Sequence, residues 1–279
     1  MENVQSVMGE VAPPYPDHIL GDPDTFVLIL LKAHNPTSNK ASDFIHDLEK
    51  TIQKHGGKLV SRTESPKYWS VNDGEDHYKA PNHLSPATFD ITGVIIGSFG
   101  SNEAVQDWWK SETVFQVLKW RDSIEKLGIY MFDGLQQATD VTQQTLGIFT
   151  DRFVLLELMK MRAFKPVQYY VDCYKRYAER SQSEINVECN LFFAESVRSV
   201  FFDEFSLDAA CASGWPMKQD VNQFYDSDIY QKQLKPLRDD YAVSVTILLP
   251  IFEDPRANIN RILQRTGARV LRPLVFNKE

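Results

Sequence analysis

Cysteine is scarce in this 279-residue chain, which has three, Cys173, Cys189 and Cys211. They are odd in number, widely spaced and in no metal-type pair, so a disulfide framework and a cysteine-based zinc site are both disfavoured. A reduced, cytoplasmic compartment is the expected setting, with the three thiols as small buried side chains. Long apolar runs are also lacking. None approaches the roughly 20 residues that span a bilayer, so no membrane partner is expected. Basic residues are outnumbered, 30 against 38 acidic, for a formal net charge of −8. That balance argues against a nucleic-acid partner, whose footprint is a basic patch. The opening Met1-Glu2-Asn3-Val4 lacks a basic region followed by an apolar one, so no secretory signal is expected. Histidine is absent beyond residue 83, and no two histidines stand at His-x-x-x-His spacing. There is no Gly-x-Gly-x-x-Gly fingerprint, phosphate loop or Gly-x-Ser-x-Gly elbow. No cofactor, haem and flavin included, and no metal is therefore expected.

What is present is a composition ordinary for a globular core, 43% apolar and 24% charged, at a length that suits two medium domains or one large one. The organising feature is a repeat. Phe224-Tyr225-Asp226-Ser227-Asp228-Ile229-Tyr230-Gln231 leads to Leu234-Lys235-Pro236 and Arg238-Asp239. A rougher copy runs from Trp108-Trp109-Lys110-Ser111-Glu112 through Phe115-Gln116 and Leu118-Lys119 to Arg121-Asp122. A short apolar run follows each copy. A helix-then-strand signature that occurs twice indicates a duplicated module.

In chain order, residues 1–23 carry four prolines and read as an extended arm. Residues 24–134 form the first module. Thr25–Lys32 is a buried strand, and Ser42–His55 a helix facing inward through Phe44, Ile45, Leu48 and Ile52. Gly56-Gly57 stops that helix. Lys58–Arg62 is the second strand and Phe89–Phe99 the third, with Gly93 and Gly97 as bulge or close-approach points. Glu103–Lys126 is the second helix and Gly128–Phe132 the fourth strand. Residues 135–150 read as a linker. Residues 151–252 repeat the order, with strands over Asp151–Leu158, Ile185–Phe193, Val200–Phe205 and Tyr241–Pro250. The first helix of this half spans Val167–Arg180 and turns Val167, Tyr170, Val171, Tyr174 and Ala178 to one face. A dozen extra residues around Cys211–Pro216 read as an insertion, and residues 253–279 as a tail.

Ser206-Leu207-Asp208-Ala209-Ala210 followed by Phe224 to Asp239, together with Gly56-Gly57-Lys58-Leu59-Val60-Ser61-Arg62, resembles the domain-of-unknown-function 1330 family. That family belongs to the dimeric α+β barrel superfamily, whose wider members include antibiotic-biosynthesis-type and haem-degrading monooxygenases. The resemblance implies an α+β fold in which four antiparallel strands carry two helices on one face, and two such sheets pair face to face. Here the expected form is two tandem ferredoxin-like βαββαβ modules closing an intramolecular barrel, a monomer acting as its own pseudo-dimer, with further oligomerisation open. The second half has Ser181-Gln182-Ser183-Glu184 in place of the Gly-Gly turn, and the first has Trp120 in place of the proline of Leu-Lys-Pro. The two pockets are expected to differ.

The polar loop 65–88 holds Trp69, His77, Tyr78 and His83 beside Asp73, Glu75 and Asp76. His77 and His83 read either as a metal or acid–base cluster over the barrel mouth or as part of a solvated loop. Arg62 reads either as a bidentate holder of a ligand carboxylate or as a surface ion pair with Glu64 or Asp90. Trp69, Tyr78 and Trp215 are candidates to line a pocket mouth. Trp108, Trp109, Trp120, Phe224, Tyr225 and Tyr230 read as core packing. Arg121-Asp122 and Arg238-Asp239, recurring at a helix end, suggest one shared structural role. Three functions follow. The leading one is binding of a small, partly apolar ligand in the barrel, between sheet and helices. The others are cofactor-independent oxygenation, isomerisation or cyclisation of an aromatic or polyketide-like substrate, with Arg62, His77 or His83 as its polar groups, and protein docking by a degenerate barrel. One fold hosts all three.

Overall fold

The structure is a computed structural model that describes residues 24–35, 39–64, 67–68, 89–119, 121–135, 153–162, 165–185, 187 and 189–252. The proposed arm at 1–23, the tail at 253–279 and nearly all of the linker lie outside these residues. So do Trp69, His77, Tyr78, His83 and Trp120.

The first module starts with β1 (Thr25–Ala33), whose apolar run is buried along almost its whole length. Helix α1 (Asn39–Lys54) buries Phe44, Ile45, Leu48 and Ile52, the stripe set by helical spacing. Gly56 ends it at φ +78°, and the Gly57 N–H reaches back to the Ile52 carbonyl at 3.0 Å. That left-handed closure suits glycine. Strands β2 (Lys58–Thr63), β3 (Lys67–Tyr68) and β4 (Gly93–Phe99) follow. Gly97 is a close-approach point, since a Cβ there would stand 3.1 Å from Ile52 of α1. The expected single second helix is instead two short ones, α2 (Asn102–Trp109) and α3 (Glu112–Leu118), before β5 (Ile124–Asp133).

The second module runs β6 (Phe153–Met161), α4 (Val167–Ile185), β7 (Asn190–Ser196), β8 (Ser199–Asp203), β9 (Ala209–Trp215), α5 (Lys218–Asp226), a π-helical turn (Ile229–Leu234), α6 (Lys235–Tyr241) and β10 (Ala242–Pro250). Here one expectation is overturned. The third strand of the module is Ala209–Trp215 and not Val200–Phe205. The residues read as an insertion are this strand. The true insertion is β8, which leaves its own sheet and pairs with β5 of the first.

The sheets run β2-β4-β1-β5-β8 and β3-β10-β6-β9-β7. Without β3 and β8, each has the order second, third, first, fourth, with every pairing antiparallel. That is the ferredoxin-like βαββαβ arrangement, present twice. The modules exchange edges reciprocally: β3 of the first half pairs with β10, and β8 of the second pairs with β5. The seams between sheets are stitched by Phe252 N–H to Val60 O at 2.9 Å and Leu135 N–H to Phe192 O at 3.0 Å.

Three apolar cores make four layers, helices–sheet–sheet–helices. The central core draws Phe26, Leu28 and Phe132 from one sheet and Leu156, Phe193 and Leu249 from the other. Phe132 and Phe193 stack at 4.6 Å with planes 5° apart. Each outer core lies between one sheet and its own helices. The chain is thus a tandem α+β barrel closed within itself, each sheet covering the face its partner would otherwise expose.

Candidate functional site

The two outer cores occupy equivalent places and differ in chemistry. In the first module, the middle of the helix-facing sheet surface is Ile29 of β1, paired with Ile95 of β4 and Ile129 of β5. The same positions in the second module hold Glu157 of β6, Cys211 of β9 and Thr246 of β10. Equivalent ring pairs confirm the register, Phe99 against Trp108 in one module and Trp215 against Phe224 in the other.

The helices above have matching breaks. Ser111 donates to Trp108 O at 2.6 Å and accepts from Val114 N at 3.4 Å; Ser227 donates to Phe224 O at 2.6 Å and accepts from Tyr230 N at 3.2 Å. From that break to the residue opposite the middle of the first strand, the second module is one residue longer, Ser227 to Thr246 against Ser111 to Ile129. The π-helical turn, which spends an extra residue per turn, absorbs the difference. It brings Tyr230 inward, while Arg238 lies in the following α6.

Glu157 is 2% exposed and Arg238 4%. Tyr170 of α4 donates to Glu157 Oε1 at 3.2 Å, and the Ser244 hydroxyl also bonds that carboxyl. Arg238 donates to the Tyr230 hydroxyl, and its Nη2 lies 3.2 Å from Asp239 Oδ1. Burial pushes the Glu157 carboxyl above its ordinary range, against the Arg238 guanidinium, Ser244 and Tyr170, which pull it down. Burial opposes the charge of Arg238, but Tyr230 and Glu157 beside it keep it a firm cation. Burial likewise raises the phenols of Tyr170, Tyr174, Tyr225 and Tyr230. The arrangement can hold a proton on a carboxyl next to a fixed cation and present hydroxyls to an apolar molecule.

The recurring Arg-Asp pair does not play one role. Arg121 sits on a short turn at the surface, pairs with Glu204 and lies over the Phe202 ring, whereas Arg238 is buried. Arg62 lies on the helix-facing side of the first module and pairs with Glu49 of α1, not with Glu64 or Asp90; Asp90 pairs with Lys32. Trp215 is fully buried within β9 and donates to Ser213 Oγ at 2.8 Å. Cys173, Cys189 and Cys211 form no disulfide, and the first and last are buried. A groove of about 250 Å³ between α1 and α3, lined by Lys50, Lys54 and Thr113, is shallow and faces solvent. Among the described residues no group of three or more His, Cys, Asp or Glu side chains is placed to hold a metal, and no helix is long and apolar enough to cross a membrane. Sequence reasoning missed Glu157 and read Arg238 only as part of a recurring structural pair. A lone acid inside the apolar run Phe153-Val154-Leu155-Leu156-Glu157-Leu158-Met159 was the available signal.

No family model and no curated protein matches the chain. Among solved structures it is similar to an anthrone oxidase-like protein, at 9% identity over 83% of this chain and 92% of the other, TM-score 0.49. It is also similar to a protein named "putative monooxygenase" from Fusobacterium nucleatum, at 10% identity over 83% and 94%, TM-score 0.48. A third is a variant of chlorite dismutase from Candidatus Nitrospira defluvii, at 9% identity over 88% and 97%, TM-score 0.40.

Proposed function

We propose that the chain binds one small, partly apolar molecule between the sheet and the helices of its second module. The observation that carries this reading is the contrast between Ile29, Ile95 and Ile129 and their counterparts Glu157, Cys211 and Thr246. Burying a carboxyl and a guanidinium costs several kcal/mol per ion, and apolar replacements of similar volume are often as stable or more so. The first module holds the same fold with isoleucine. The ionisable group in the second is therefore read as serving a ligand, as perturbed groups in clefts often do. Apolar side chains pack on both sides of the second sheet. The ligand is assigned to the helix side because the buried Glu157 and Tyr170 meet there.

A second reading, turnover without a cofactor, is favoured by Glu157 itself. A carboxyl held above its ordinary range beside a cation can pass a proton to or from a bound aromatic or enolisable substrate. The narrower likeness to the 1330 family, and a cytoplasmic setting, belong to the same proposal; neither specifies a reaction.

Native mass spectrometry of the chain purified from its own source tests the binding reading. One small organic adduct per chain is expected, lost in the Glu157→Ile/Arg238→Met double variant. A bare wild-type chain in every preparation, with a double variant clearly less stable than the wild type, would sink it, because the buried pair would then be structural.

A further inference from the structure

The π-helical turn Ile229–Leu234 is the part of the second module's helical wall that the first module builds differently. At its end the Lys235 N–H bonds the Tyr230 carbonyl, five residues back. The first module continues from its own break at Ser111 in ordinary α-helix, α3, with one residue fewer. A wall of the tighter form therefore packs on the same kind of sheet. Slipping to that form would move the extra residue to the break at Ser227 and turn Tyr230 by roughly 100° about the helix axis. Tyr230 would then leave Arg238, which α6 carries. π-Helical turns are rare and recur at functional sites.

In the form described, the Tyr230 hydroxyl accepts from Arg238. Arg238 also meets Asp239, but Asp239 is shared with Lys235 of α6, at 2.7 Å. The same guanidinium feels the buried Glu157 of β6. Around that carboxyl, burial raises the phenols of Tyr170 and Tyr174 of α4, Tyr225 of α5 and Tyr230, and the Cys211 thiol of β9, so all stay neutral. Ser244 of β10 adds a hydroxyl. The charges that face Glu157 are Arg238 and Asp239, while Lys175 of α4 acts on Cys211. With its proton on, Glu157 asks nothing of Arg238. With its proton gone, a carboxylate this deeply buried is strongly disfavoured unless a cation turns to it, and Arg238 is the cation at hand. Buried pairs are best attested as register and switch devices.

We propose that Glu157, Arg238 and Tyr230 form a proton-operated latch on the helical wall of the second module. Neutral Glu157 leaves Arg238 on the Tyr230 hydroxyl and holds the π-helical turn; ionised Glu157 takes the guanidinium, releases Tyr230 and lets the turn slip towards α-helix. The latch goes beyond the binding reading and needs no ligand. Its direction follows from burial, which lifts the Glu157 carboxyl above its ordinary range, so the turn loosens as pH rises past that range. No histidine lies beyond residue 83, so no ordinary group of this module changes charge near neutral pH.

The test is hydrogen-exchange mass spectrometry of the full chain from about pH 5 to pH 9, each rate corrected for intrinsic exchange at that pH. In the wild type, protection of residues 229–241 is expected to fall roughly tenfold across that range, the worth of one hydrogen bond. Glu157→Gln is expected to keep the low-pH protection throughout. Tyr230→Phe, which keeps the ring and removes the acceptor, is expected to show one lower protection with no dependence on pH. A flat wild-type profile would overturn the latch. So would a wild-type slope in Glu157→Gln, which would assign the effect to another group. A wild-type slope in Tyr230→Phe would also overturn it, because Glu157 would then act without the Tyr230–Arg238 bond. The binding reading is decided separately, by the native mass spectrum.

Discussion

Glu157 has a pH signature of its own. Its folded pKa lies above the unfolded value, so the native chain keeps a proton that the unfolded chain releases. The stability this contributes is complete below the unfolded value, roughly pH 4.3, and is lost as pH rises through the folded one. Wild type is therefore expected to lose stability relative to Glu157→Gln as pH climbs from that point, measured by urea unfolding of both proteins across pH. Parallel curves would mean that the carboxyl titrates normally. Asp24 and Glu195, also raised by burial, tilt the curve the same way in both proteins and cancel in the difference. Arg238 and Glu157 should also couple. Arg238→Met alone is expected to cost about 3–5 kcal/mol, and adding Glu157→Ile should return more than about 1 kcal/mol of it. Glu157 did not stand out in the sequence, and Arg238 did so only as half of a recurring pair given a structural role. An acid among apolar residues and an arginine near a helix end have ordinary explanations, and only the register of β6 and the extra residue of the π-helical turn bring the two together.

Elements with strong periodicity were legible. The buried stripe of α1, its glycine stop and the inward face of α4, Tyr170, Val171, Tyr174 and Ala178, all follow from side-chain spacing. The third strand of the second module was not. Val200-Phe201-Phe202 has stronger strand propensity than Ala209-Ala210-Cys211-Ala212-Ser213-Gly214, yet the small residues occupy the sheet centre, where helices press close. The stronger strand former was placed on the other sheet, where Phe201 stacks on Trp109 at 4.6 Å and Tyr130 donates to Asp203 at 2.6 Å. Phe201→Ala, a half-buried truncation across that junction, is expected to lower stability by about 1–3 kcal/mol. It should also raise amide exchange in β5 and β8 before other strands, read by hydrogen-exchange mass spectrometry. Uniform protection loss would mean that β8 has no separate stability.

For the whole molecule, the packed inter-sheet core makes the halves interdependent. A chain ending at residue 140 would leave Phe26, Leu28 and Phe132 without the sheet that covers them. It is expected to pair with itself or aggregate in analytical ultracentrifugation; a well-behaved folded monomer would contradict the in-chain barrel. The tandem order of elements could be read from the repeat alone. The exchange of edges could not, because β3 and β8 take their partners from sequence far away.

That exchange has a consequence for synthesis. As the chain leaves the ribosome, the first module has its four strands once residue 133 emerges, but its fifth, β8, lies at residues 199–203. Meanwhile the edge of β5 and the inner face of the sheet wait without cover. The order of translation therefore exposes an aggregation-prone surface for the time needed to make some seventy more residues, roughly four to fourteen seconds at 5–20 residues per second. Slowing the ribosome within the second half should lower the yield of soluble protein more than slowing it within the first.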